Sequence, residues 1–135
     1  MLYDFPLTIP ADTKANAPVE QDVRLTHGVI TRLEVEFHPG CNGMVYAYVR
    51  RGLHQLFPIN PDGKARTDGG VVGASTYIEL FYPPYELTLG GYSPGTAYDH
   101  ELIYRLELTP REVAERSKTQ ATVLSYLLKL LGVKK

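Results

Sequence analysis

The sequence predicts a mainly β protein, an antiparallel two-sheet sandwich of about eight strands with jelly-roll-like organisation and one C-terminal α-helix. Three observations carry this. From the start to Leu108, apolar residues recur at a spacing of two in short runs. The runs are separated by Gly, Pro, Asn and Asp. At Thr109 the period switches to a helical one, which divides the chain into a β-sandwich domain, 1–108, and an apolar helix, 109–135.

Strands are expected near residues 2–9, 19–26, 28–37, 44–50, 53–57, 71–81, 86–92 and 98–108. The third shows the clearest alternation: Leu33, Val35 and Phe37 are set for a core while Arg32, Glu34 and Glu36 face water. The last places Leu102, Tyr104, Leu106 and Leu108 on one face and Glu101, Ile103, Arg105 and Glu107 on the other. A slip of one residue would bury the three charges, so its register is well specified. His38-Pro39-Gly40-Cys41-Asn42-Gly43 reads as a compact turn between two long strands, because Pro fixes φ while Gly and Asn accept positive φ. Asn60-Pro61-Asp62-Gly63 opens a longer polar loop through Lys64, Arg66, Asp68 and Gly70. Tyr82-Pro83-Pro84-Tyr85 reads as a corner, since consecutive prolines donate no ladder hydrogen bonds.

Thr109-Pro110-Arg111-Glu112 has the form of a capping box, with Thr as N-cap, Pro at the first helical position and Glu three residues after the cap. Leu131-Gly132 followed by Val133-Lys134-Lys135 supplies a stop. A helix is therefore expected over 110–131, with a break near Ser117 to Thr119. Its second half holds Val123, Leu124, Tyr126, Leu127, Leu128, Leu130 and Leu131, interrupted only by Ser125 and Lys129, which is too apolar for a solvated surface helix. Positions 113, 117, 120, 124, 127 and 131 also alternate steps of four and three, like a short coiled-coil seam. Three fates are open to such a helix: folding back on its own sandwich, docking on a neighbouring subunit, or lying on a membrane surface. The third lacks a strongly basic polar face. Val123, Leu124, Leu127, Leu128 and Leu131 are the residues expected to form an oligomer or partner interface.

Charge and composition narrow the function. With 14 Lys and Arg against 15 Asp and Glu, no uniform field favours nucleic acid. The lone Cys41 excludes an internal disulfide framework. The N-terminus lacks the basic and apolar regions of a signal peptide, and the longest apolar cluster is too short to span a bilayer. A soluble protein made inside the cell, with neither nucleic acid nor membrane as partner, is expected.

No constellation for catalysis or metal binding stands out. His27, His38, His54 and His100 are scattered, and His38 with Cys41 could supply only half of a zinc site. Asn60, Asp62 and Asp68 miss the spacing of a calcium loop, and Lys64 and Arg66 oppose a cation there. Ser75, Ser93, Ser117 and Ser125 sit in no Gly-x-Ser-x-Gly frame, and Gly69-Gly70 and Gly90-Gly91 precede no helix with a suitable lysine. The expectation is therefore no enzyme, no metal and no cofactor. The chain has ten tyrosines and no tryptophan, with Tyr82, Tyr85, Tyr92 and Tyr98 near the last turns. An amphipathic ring suits sandwich packing, a protein contact or a sugar platform.

Across roughly residues 5 to 108, Gly28-Val29-Ile30 through Glu36-Phe37-His38-Pro39-Gly40, then Leu56-Phe57-Pro58-Ile59-Asn60-Pro61-Asp62-Gly63, then Tyr85-Glu86-Leu87 through Tyr98-Asp99-His100-Glu101 resemble small β-sandwich virion proteins of tailed phages. The likeness lies in the rhythm of strands and turns. It implies a capsid decoration or minor capsid protein, made in the host cytoplasm, located in the virion and contacting its own copies or other capsid proteins. It brings no active site, and the helix from Pro110 onward departs from it. A carbohydrate- or ligand-binding sandwich module is the alternative.

Overall fold

The computed structural model describes residues 1–132. Eight strands and one helix follow in order: β1 Leu2–Ile9, β2 Val19–Arg24, β3 Gly28–Phe37, β4 Tyr46–Arg51, β5 His54–Phe57, β6 Gly70–Leu80, β7 Glu86–Tyr92, β8 His100–Thr109 and α1 Arg111–Leu130. Each expected strand is present, β1, β3 and β7 with the expected ends and the others shifted by one or two residues. Alternating polarity and turn residues locate strands well, because the pleat period and the positive-φ breaks are both local properties.

One sheet has the order β1-β8-β3-β6 and the other β2-β7-β4-β5. The pairing is nested: β1 pairs β8, β2 pairs β7, β3 pairs β6 and β4 pairs β5, all antiparallel. A long hairpin rolled onto itself produces this order, with β3–β8 and β4–β7 closing each sheet. It is the jelly-roll order of two four-stranded antiparallel sheets. The turn 38–43 therefore crosses from one sheet to the other rather than forming a flat hairpin. Gly40, Asn42 and Gly43 have positive φ in it, and Asp68 accepts N–H bonds from Gly40 (2.9 Å) and Asn42 (3.1 Å), tying the turn to the long loop.

The core lies between the sheets. Leu33, Val35 and Phe37 from β3 and Leu102, Tyr104, Leu106 and Leu108 from β8 meet Val23, Val49, Leu87 and Leu89 of the other sheet, all buried. Tyr104 spans the gap: its hydroxyl donates a 2.6 Å bond to the Gly90 carbonyl on β7. On the outer side of the same glycine lies the Tyr48 ring, so close that a Cβ at position 90 would collide with it. In β3 a register shift between Ile30 and Arg32 lets both Ile30 and Leu33 face the core, while Val29 is buried outside that core cluster.

The junction to α1 differs from the capping box. Thr109 still belongs to β8, paired with Val29, and its hydroxyl lies 3.0 Å from that of Thr31. Pro110 takes the N-cap position, with no side-chain cap bond. The strand ladder holds Thr109 more firmly than a helix terminus could. α1 is also continuous through Ser117 to Thr119. Its end matches expectation: Gly132 has φ 75° and its N–H reaches the Lys129 carbonyl at 3.1 Å. Val133, Lys134 and Lys135 lie outside the described residues.

Candidate docking site

The first turns of α1 are anchored. Ala114 is buried, the Arg111 guanidinium lies 4.2 Å from the centroid of the Phe81 ring, and the Lys118 ammonium lies 4.5 Å from that of Tyr77 on β6. Arg111 also pairs with Glu115 one turn on, at 3.0 Å. Residues 111, 114 and 118 thus mark the stripe of the helix that faces the sandwich.

That stripe determines where the apolar half points. Continued at helical spacing it runs through Ala121, Thr122, Ser125 and Lys129, which are small or polar. The apolar residues occupy the rest of the circumference, an arc of roughly 200° centred opposite the sandwich. Val123, Leu124, Leu127, Leu130 and Leu131 are 51%, 58%, 48%, 65% and 77% exposed, and Tyr126 is also exposed. Leu128 is half-buried. The helix therefore does not fold back to complete its own core: beyond Lys118 the stripe residues Ala121, Thr122, Ser125 and Lys129 are exposed as well as the leucines, so the sandwich covers neither side of this half. No helix among the described residues is long and apolar enough to cross a membrane.

The four tyrosines fall at the two ends of β7. Tyr82 and Tyr85 lie before it; Tyr82 is exposed, and Tyr85 packs edge-on against His27 with ring centroids 6.0 Å apart. Tyr92 and Tyr98 lie at and beyond its other end, with Tyr98 exposed. A seven-residue strand separates the pairs by about 20 Å, so they share no single surface.

A different aromatic group emerges from the outer face of the second sheet. Tyr46 and Tyr92 stack at 4.9 Å, Arg66 covers Tyr46 at 5.3 Å, and Lys64 lies 5.6 Å from the Tyr48 ring. Beside them is an open pocket lined by Asp62, Gly63, Lys64 and Arg66. Tyr48 donates a 2.6 Å bond to Glu20, whose carboxylate also pairs with Arg50 at 3.0 Å. The Arg50 bond holds the Glu20 carboxyl below its ordinary range, with help from Tyr48 and against partial burial. Burial, with the Glu20 bond, pushes the Tyr48 phenol up. Strand period alone puts Tyr46 and Tyr48 on one face of β4, but Tyr92 joins them only through the β4–β7 pairing.

The other sequence candidates separate. Cys41 is buried 3.8 Å from His100 Nδ1, while His38 is exposed. Burial, with Asp68 nearby, pushes the Cys41 thiol up, which keeps it protonated near neutral pH. No group of three His, Cys, Asp or Glu side chains is placed to hold a metal among the described residues.

No family model matches this chain, and no curated protein matches it either. Among solved structures it is similar to a de novo designed double-stranded β-helix determined by NMR, at 13% identity, covering 78% of this chain and 99% of that one, with a TM-score of 0.37. It is also similar to FlhE, at 9% identity, covering 78% of this chain and 95% of that one, with a TM-score of 0.36. These scores are too low to carry an argument, and the jelly-roll assignment rests on this chain's own strand order.

Proposed function

We propose that this protein is a non-enzymatic structural component of a virion, a capsid decoration or minor capsid protein that docks on shell subunits or on its own copies through α1. One observation carries the docking: the apolar arc of α1 points away from the chain's own sheet and stays exposed. Six side chains from Val123 to Leu131 leave on the order of several hundred Å² of largely apolar surface uncovered, which is unusual in a monomer and common at an interface. The jelly roll suits this role, being shared by capsid proteins, lectins and cupins, but a fold alone does not choose among them. The virion setting comes from the resemblance in residues 5 to 108.

Light scattering tests the docking. The full chain should assemble, and Leu124→Glu with Leu127→Glu should abolish assembly while leaving the β-sheet circular dichroism unchanged. Equal masses for both proteins would refute it. Mass spectrometry of purified particles tests the setting, which requires this chain in many copies per particle.

A second reading, a carbohydrate- or ligand-binding module, is supported by the Tyr46–Tyr92 stack beside the pocket lined by Asp62, Lys64 and Arg66. Binding on a glycan array that Tyr92→Ala removes would favour it over docking.

A further inference from the structure

The two sheets end in four edges: β1 and β6 in one, β2 and β5 in the other. An exposed edge offers unpaired backbone N–H and C=O groups to any extended chain, and folded proteins usually blunt it. Three of these edges are blunted. β1 carries Pro6 and Asp4, β2 is six residues long with Glu20, Asp22 and Arg24, and β5 is only four residues long. β6 is the least protected: its ladder with β3 is regular from Gly70 to Ser75, and a bulge interrupts it only between Ser75 and Ile78. It is the longest strand, eleven residues, and from Gly70 to Ile78 it contains neither a charge nor a proline. Among the described residues, β3 is the only strand that pairs with it.

We propose that β6 pairs antiparallel with β6 of a second copy, joining two four-stranded sheets into one eight-stranded sheet across a two-fold axis. A copy of the same chain is the occupant that these features favour. Two-fold symmetry places a strand antiparallel to itself, the arrangement an isologous contact requires. The uncharged run brings no like charges face to face when it meets its own copy. The uncovered helix begins beside this edge, since Lys118 of α1 covers Tyr77 of β6. One two-fold contact can therefore bury both features. A strand edge by itself falls short of the ~800 Å² per partner of a stable interface, and the exposed arc of α1 adds the missing area. The edge pairing deepens the assembly reading above by naming its partner, yet it can fail separately from helix docking.

The test uses the full chain in sedimentation velocity, together with Val71→Lys and Ser75→Lys. Both positions are exposed on β6, so the substitutions leave the core intact. The wild type should be a dimer, and the double variant should dissociate at least about tenfold more readily with an unchanged circular dichroism spectrum. Amide hydrogen exchange should show β6 protected in the wild type and released in the variant. A wild type that is monomeric at about 100 µM overturns the proposal. So does an oligomer that the lysines leave intact and Leu124→Glu with Leu127→Glu dissolves, a result that keeps helix docking. Dissociation by the lysines upholds the edge pairing, and dissociation by the leucine substitutions as well shows that the helix supplies the rest of the area.

Discussion

Tyr104 does at the residue scale what the sheets do at a larger one: it joins the two layers. Its ring is fully buried and its hydroxyl bonds to the Gly90 carbonyl across the core. Burial raises its phenol far from its ordinary value, so it stays a neutral donor. Tyr104→Phe keeps the packing and removes the donor. It should cost about 1–2 kcal/mol, read as a lower denaturant midpoint at unchanged slope. Glu20 gives a pH signature. Its folded carboxyl titrates below its ordinary value because Arg50 bonds the charged form. The stability it contributes is therefore present above the unfolded value of about 4.3 and is lost as pH falls through the folded one. The pair is partly exposed and screened, which keeps the effect small. The thermal midpoint of the wild type should fall more steeply between about pH 5 and 3 than that of Glu20→Gln.

At the scale of elements, α1 behaves as two pieces. The first two turns are held by Ala114, Arg111 and Lys118, while the remainder has no tertiary partner within its own chain among the described residues. An isolated helix of this length is marginal in water, because packing of an apolar face supplies most helical stability. In a dissociated sample, amides from 119 to 130 should exchange far faster than those of β3 and β8, and assembly should slow them. Uniformly slow exchange in a verified monomer would mean that the helix is stabilised without a partner. The strands are largely legible in the amino-acid sequence: alternation locates β3 and β8 with the correct faces, and Pro83-Pro84 marks its corner. The bulge between Ile30 and Arg32 is not, since it depends on the neighbours that β3 meets on both sides.

For the whole molecule, nested pairing sets the folding kinetics. Leu2 pairs with Glu107, so β1 near the start of the chain meets β8 near the end of the sandwich in one sheet. Closing such long loops before any reward is slow, and refolding should take milliseconds to seconds rather than microseconds, as stopped-flow tyrosine fluorescence can measure. Much of the β architecture is carried by sequence: the number of strands, their faces, the polar turns, the start of the helix to within a residue and its glycine stop are local consequences of side-chain period and backbone preference. Three things are decided only by tertiary structure. The ladder keeps Thr109 in β8 and so displaces the cap. The pairing of β4 with β7 gathers Tyr46, Tyr48 and Tyr92 while the other tyrosines separate. Only the first turns of α1 seat on the sandwich, and the half that carries the leucines extends beyond that contact uncovered. Each depends on which distant segments become neighbours, and a periodicity read along the chain contains no information about that.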